Sequence, residues 1–271
     1  MSALLPTLEI FIREHPSRAI VEVTRARGST PREEGAWMLV SPVATLGTIG
    51  GGALEFMAID RARAALAGHV ATDAMDVPLG PDIGQCCGGR VELSIRLMDD
   101  AATSELVERQ RRADAAMPHI LVFGGGHVGH ALAAAFALLP VTVTVVETRA
   151  EALEGMPENV SVRLTPVPEE AVRDAPAGSA IVVLTHDHAL DFLIVAEALG
   201  RGDLPYVGMI GSKTKRATFR SWYLKEAGGS AEALARLVSP IGGDHVRDKR
   251  PAVIAALAAA EIMTALAAAE K

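Results

Sequence analysis

Residues 120–132 read I-L-V-F-G-G-G-H-V-G-H-A-L. A short apolar run from Ile120 to Phe123 breaks into glycines, and apolar residues resume beyond them at helical spacing. The stretch therefore predicts strand, tight turn and helix. Gly124, Gly126 and Gly129 have the G-x-G-x-x-G spacing, which permits the turn, a close backbone approach to phosphate and close packing of helix on strand. Free N–H groups at the helix start, from His127 on, would face an anion. A plain packing turn is the alternative. The strand before and the helix after favour a phosphate-binding, dinucleotide-type fold.

Downstream, Val/Ile-rich segments alternate with helical ones: Val141 to Val146, Val160 to Leu164, Ala180 to Leu184 and Tyr206 to Ile210 as strands, with helices between and after them. Continuous apolar strands separated by helices predict a parallel sheet covered on both faces. Glu147 ends the second strand, near where a carboxylate meets ribose hydroxyls in nicotinamide-binding proteins; an exposed strand-end acid is the alternative. In a doubly wound sheet the fourth strand lies beside the first, which places the loop Thr185-His186-Asp187-His188 next to the glycine turn and His127. Histidines there can relay protons or donate hydrogen bonds, and the helix start beside them favours an anion over a metal ion. Lys213 and Arg216 open the helix after the fifth strand, where positive charge opposes the helix dipole. They suggest an anionic ligand, against a solvated basic face.

Upstream, the pattern differs. A short amphipathic helix over Leu4 to Glu14 stops at His15-Pro16, and strands follow over Ala19 to Thr24 and Ala36 to Val40, separated by the polar turn Arg27-Gly28-Ser29-Thr30-Pro31-Arg32. Leu46 to Glu55 reads as strand, three glycines (Gly50, Gly51, Gly52) and helix; backbone there either packs closely or approaches a ligand. Glu55 sits in the first helical turn, where the dipole favours a carboxylate. Next, Gly84-Gln85-Cys86-Cys87-Gly88-Gly89 encloses two thiols in glycines just before a strand over Val91 to Leu97. Adjacent cysteines with no C-x-x-C partner do not make a structural zinc site. Either one thiol faces a site or both are small buried hydrophobes. Asp99 to Pro118, rich in Glu and Arg, reads as a solvated connector helix. The expected organisation is an N-terminal α/β domain over residues 1–100, a connector over 101–118 and a Rossmann-like doubly wound domain over 119–271.

The chain has 271 residues, 49% hydrophobic and 22% charged, with a formal net charge of -7. That balance is globular, and the charge argues against nonspecific nucleic-acid binding. Two cysteines exclude a disulfide framework. With the alanine-rich tail broken by Glu261 and no leader pattern, no membrane span is expected and a cytoplasmic location is. The tail, Pro251 to Ala269, either covers the sheet or pairs subunits as a homodimer.

Taken together, these blocks resemble the xanthine dehydrogenase accessory protein family (XdhC/CoxI). The resemblance rests on G-S-T-P-R (Gly28 to Arg32), G-T-I-G-G-G-x-L-E (Gly47 to Glu55), G-Q-C-C-G-G (Gly84 to Gly89), G-G-G-H-V-G (Gly124 to Gly129), T-H-D-H (Thr185 to His188), M-I-G-S-K (Met209 to Lys213) and S-P-I-G (Ser239 to Gly242). Gly243-Asp244-His245-Val246 departs from the more apolar continuation of many relatives. The resemblance implies a chaperone, not a turnover enzyme. Such a protein binds molybdenum cofactor (molybdopterin), supports replacement of an oxo ligand by sulfur with a cysteine desulfurase, and delivers the cofactor to a xanthine dehydrogenase apoenzyme. On that basis Cys86 or Cys87 would lie near the molybdenum, with no metal held by the protein directly. Arg32, Gly50, Gly51, Gly52 and Glu55 would contribute from the N-terminal domain. Gly124, Gly126 and Gly129 would cradle phosphate beside His127 and His186, while Lys213 and Arg216 would neutralise charge. The glycine turn with Glu147 alone would instead predict an NAD(P)-dependent oxidoreductase, and a ligand-free interaction module is a third expectation.

Overall fold

The structure, a computed structural model, describes residues 4–69, 74–80 and 88–269; Cys86 and Cys87 lie outside the described residues. The chain forms two compact units, Leu4–Ala113 and Asp114–Lys271.

The first unit is built on an antiparallel sheet in the order β3-β2-β1-β5-β4, comprising β1 (Ala19–Arg27), β2 (Trp37–Val40), β3 (Thr45–Gly47), β4 (Ala74–Pro78) and β5 (Arg90–Leu97). Side chains alternate across it with period two. Val21, Val23, Met38, Leu93 and Ile95 meet Leu54, Ala58 and Ala62 of helix α2 (Gly52–Leu66). Ile20 and Leu39 instead meet Leu8 and Phe11 of α1 (Leu5–Glu14) and Leu106 of α3 (Asp100–Ala115). Each of the Val, Leu, Ile, Phe and Met side chains among them contributes about 1.5–3 kcal/mol on burial, so the sheet is held from both faces. α3 spans much of the stretch expected as a connector, and its Leu106 belongs to this core. Buried Arg18 fastens the α1 end by donating to the carbonyls of Ile12, His15 and Pro16 and to Thr103 Oγ1. β4 has no counterpart among the strands expected from sequence.

The second unit is a parallel six-stranded sheet, order β11-β10-β9-β6-β7-β8, as the alternation of strands and helices predicts. Its strands are β6 (His119–Phe123), β7 (Thr142–Glu147), β8 (Ser161–Leu164), β9 (Ala180–Val183), β10 (Tyr206–Met209) and β11 (Leu237–Val238). β9, the fourth strand of this unit, pairs with β6, its first, in the register Ile120 opposite Ala180 through Phe123 opposite Val183. On one face, Ile120, Val122, Val143 and Val182 pack on α4 (His127–Phe136) and α9 (Pro251–Ala269); on the other, Leu121, Phe123, Ile181 and Val183 pack on α5 (Glu169–Asp174), α6 (His188–Gly200) and α7 (Lys213–Lys225). The short α8 (Ala231–Ala235) and the two-residue β11 are additions to the expected order.

α9 covers one face of this sheet, one of the two roles expected of the tail. It is nineteen residues long and, Glu261 notwithstanding, apolar enough to cross a membrane by length and composition. Ala255, Ala258, Ile262 and Leu266 nevertheless pack into the sheet's core. Glu261 accepts hydrogen bonds from the Tyr206 hydroxyl at 2.5 Å and from Gly242 N at 3.2 Å. Burial and the adjacent carboxylate push the Tyr206 phenol well above its ordinary range.

Candidate functional site

In the first unit, three sequence-distant loops converge. A Cβ on Gly89 would fall 2.2 Å from the carbonyl oxygen of Ser29, so the end of the cysteine-bearing block lies directly on the G-S-T-P-R turn. A Cβ on Gly50 would fall 2.4 Å from Pro31 Cγ, which brings the glycine triplet to the same turn, beside Arg32. Gly50, Gly51 and Gly52 all have positive φ (131°, 78° and 65°), a backbone other residues rarely adopt. Glu55 folds this loop. Its Oε2 accepts from Thr48 Oγ1 at 2.6 Å, Gly51 N at 3.0 Å and Ile49 N at 3.2 Å, drawing the triplet over the start of α2. The result is a patch of side-chain-free backbone with Arg32 exposed next to it.

In the second unit the glycines divide by role. A Cβ on Gly124 would meet the Leu184 carbonyl oxygen at 2.6 Å, one on Gly125 that of Ala152 at 2.3 Å, and one on Gly129 that of Gly124 at 2.0 Å. Gly126, in contrast, faces open space, and His127 beside it is exposed. Gly124 and Gly129 thus hold helix to strand, while Gly126 leaves room for a ligand. Glu147 turns inward, 4% exposed. It accepts from Gly125 N at 2.9 Å, Thr148 N at 2.8 Å and Arg149 Nη2 at 3.2 Å, with further bonds from Thr148 Oγ1 and Arg149 N. Burial alone would raise its pKa; the Gly125, Arg149 and Thr148 donors prevail and hold it at about 2.

The T-H-D-H loop does lie against the glycine turn, through Gly124 and Leu184. A buried ion pair, outside the site residues expected from sequence, carries the connection onward: Thr185 N and Oγ1 donate to Asp191 Oδ1 at 3.0 and 2.7 Å, and Lys215 Nζ donates to Asp191 Oδ2. Lys215 in turn lies over Gly211, whose Cβ would fall 2.6 Å from Lys215 Cδ. Asp187 caps α6, accepting from Ala189 N and Leu190 N, and Asp191 stands three, four and seven residues before the buried Ile194, Val195 and Ala198, a helical spacing that was the available signal that it faces inward. His186 is exposed. Among the described residues no three His, Cys, Asp or Glu side chains converge for a metal ion.

The model of the XdhC Rossmann domain matches residues 120–262, and that of the XdhC and CoxI family matches residues 12–74. The chain belongs to the XdhC/CoxI family. The uncharacterized protein YqeB of Escherichia coli K12 is 28% identical over 262 residues, which cover 90% of this chain and 43% of YqeB. The chain therefore spans less than half the length of that curated relative. The fold is shared with a crystal structure described as a xanthine dehydrogenase from Bacillus halodurans, at TM-score 0.81 and 16% identity over 99% of this chain and 96% of that one.

In this XdhC-family chain, Lys213 and Arg216 point their charge to the outside of α7. Lys213 lies 3.5 Å from Asp244 with both side chains exposed, and Arg216 Nη1 donates to the Ser239 carbonyl of the S-P-I-G block at 3.0 Å. Lys215, between them, is the buried one.

Proposed function

We propose that this XdhC-family protein is a cytoplasmic chaperone that binds molybdenum cofactor, supports exchange of an oxo ligand for sulfur supplied by a cysteine desulfurase, and passes the cofactor to a xanthine dehydrogenase apoenzyme. One observation carries the reading: the G-S-T-P-R turn, the glycine triplet and Gly89, at the end of the paired-thiol block, meet at one place in the first unit. The donor set fits the group. The Gly50 and Gly51 N–H groups donate to Thr48 Oγ1 and Glu55 Oε2, so it is the N–H groups of the first turn of α2, from Gly52 on, that with the exposed Arg32 suit the anionic end of a pterin phosphate, and a thiol suits a soft dithiolene-bound metal. Gly50, Gly51, Gly52, Arg32 and Cys86 or Cys87 would hold it there. Gly126 and His127, with His186, Lys213 and Arg216, would offer a further anion site in the Rossmann unit. The bound cofactor supplies the molybdenum centre that the client uses; this chain binds and orients it.

Glu147 favours a second reading, an NAD(P)-dependent oxidoreductase, by its position at the end of β7. Its acceptors are committed to Gly125, Thr148 and Arg149, which leaves little for ribose hydroxyls. Anaerobic purification from a molybdenum-replete host, with metal analysis and identification of the released ligand, tests both. Molybdenum with pterin is expected. Release of NAD(P) without molybdenum would overturn the chaperone reading.

A further inference from the structure

The outer face of α7 is poorly explained by the fold. Residues 211–250 carry nine Lys or Arg against four Asp or Glu, in a chain whose formal net charge is -7. Lys213, Arg216 and Arg220 share one exposed face of this helix, over about 10 Å, and Lys225 stands exposed farther round it, at the edge of one of the depressions described next. Arg216 and Arg220 are four residues apart, a like-charge spacing that weakens a helix. Cations in the first turn also oppose the dipole. Compensation is slight: Arg216 is bonded to a neutral carbonyl, Asp244 meets Lys213 in an exposed pair, and Arg220 has no counter-ion among the described residues. Around Arg220 lie three adjoining depressions of about 350, 410 and 420 Å³, one against α8 and one against the Ser239–Asp244 loop. Their apolar lining comes from Ala217, Leu224, Leu234, Ala235 and Pro240.

We propose that this face docks an acidic segment of a partner protein, one that carries apolar side chains at helical spacing. Its carboxylates meet Arg216 and Arg220, whose guanidinium forks accept carboxylates in bidentate fashion, and its apolar side chains fill the depressions. Charge complementarity chooses the occupant, and shape refines it. A single phosphate would engage only one end of a row of cations about 10 Å long and would leave the apolar depressions unfilled, and the apolar residues line hollows instead of projecting as a membrane-inserting face would. The face shares Lys213 and Arg216 with the further anion site of the cofactor reading, but Arg220, Leu224 and the α8 wall have no part in that site, so Arg220→Glu tests the docking face alone.

The full-length protein is titrated with a fluorescein-labelled synthetic peptide of Glu and Leu, with Leu at every third and fourth position, and anisotropy is read. Saturable binding that weakens with added salt is expected, together with a loss of about tenfold or more in Arg220→Glu. Arg112→Glu, the same charge change on an exposed residue outside the depressions, is expected to bind like the parent. Ala217→Trp, which fills two depressions without changing charge, should also weaken binding. No saturable binding by the parent protein, equal affinity in Arg220→Glu and Arg112→Glu, or binding to phosphatidylglycerol vesicles in place of the peptide would overturn the proposal.

Discussion

Glu147 Oε2 accepts the backbone N–H of Gly125 at 2.9 Å, tying the end of β7 to the glycine turn that follows β6. The carboxylate's pKa is held at about 2 against an ordinary 4.5, so its contribution to stability is complete above about pH 4.5 and is lost as the pH falls toward 2. Glu147→Gln keeps the shape but removes the charge. It should cost about 2 kcal/mol at neutral pH, measured by urea unfolding, and the variant should lack this part of the acid destabilisation. An unchanged acid limb would show that the bonds to Gly125 and Arg149 do not set it.

Gly126 and Gly129 should respond oppositely to alanine. Gly126 has φ -72° and open space around it, so Gly126→Ala should leave stability within about 0.5 kcal/mol. Gly129→Ala would drive a methyl into the Gly124 carbonyl and should destabilise the unit by about 2 kcal/mol or more. Because Gly126→Ala spares the fold, its content of bound cofactor reports on the turn as a ligand site. Reduced content is expected, and full content would remove the turn from the site.

Asp191 and Lys215 form a pair whose members are 0% and 8% exposed. Lys215→Met leaves a buried carboxylate with only the Thr185 donors and should cost about 3–5 kcal/mol, whereas adding Asp191→Asn should restore part of that loss. Trp222 sits in the α6–α7 aromatic cluster of this unit, so its fluorescence in a Trp37→Phe background follows the relevant transition. Strictly additive losses would mean that the two residues are not coupled.

What the sequence made legible follows from the range of each interaction. β6, the glycine turn and α4 were readable because an apolar strand, a glycine spacing and a helical period are local signals, and the placement of the T-H-D-H loop came from the parallel topology they imply. The two-residue β11 and the edge strand β4, with Asp76 and Pro78 in it, carry too little pattern to stand out. The Asp191–Lys215 pair was missed because nothing local distinguishes a lysine that turns inward from its exposed neighbours Lys213 and Arg216. The meeting of Gly89 with Ser29 is likewise a tertiary fact, 60 residues apart in the chain, which composition alone left open as either packing or binding.

Glu55 separates the folding of the glycine triplet from its use. With Oε2 gathering Thr48, Ile49 and Gly51, Glu55→Ala frees three donors at once and should lower the first unit's stability by about 1–2 kcal/mol. Glu55→Gln keeps an acceptor oxygen in place and should recover much of that loss. If the triplet is the cradle, cofactor retention during gel filtration falls further in Glu55→Ala than its modest destabilisation explains, because a backbone no longer held at positive φ presents its N–H groups in many directions. Retention equal to that of the parent protein, with the stability loss observed, would assign Glu55 and the triplet to packing and move the cofactor site elsewhere.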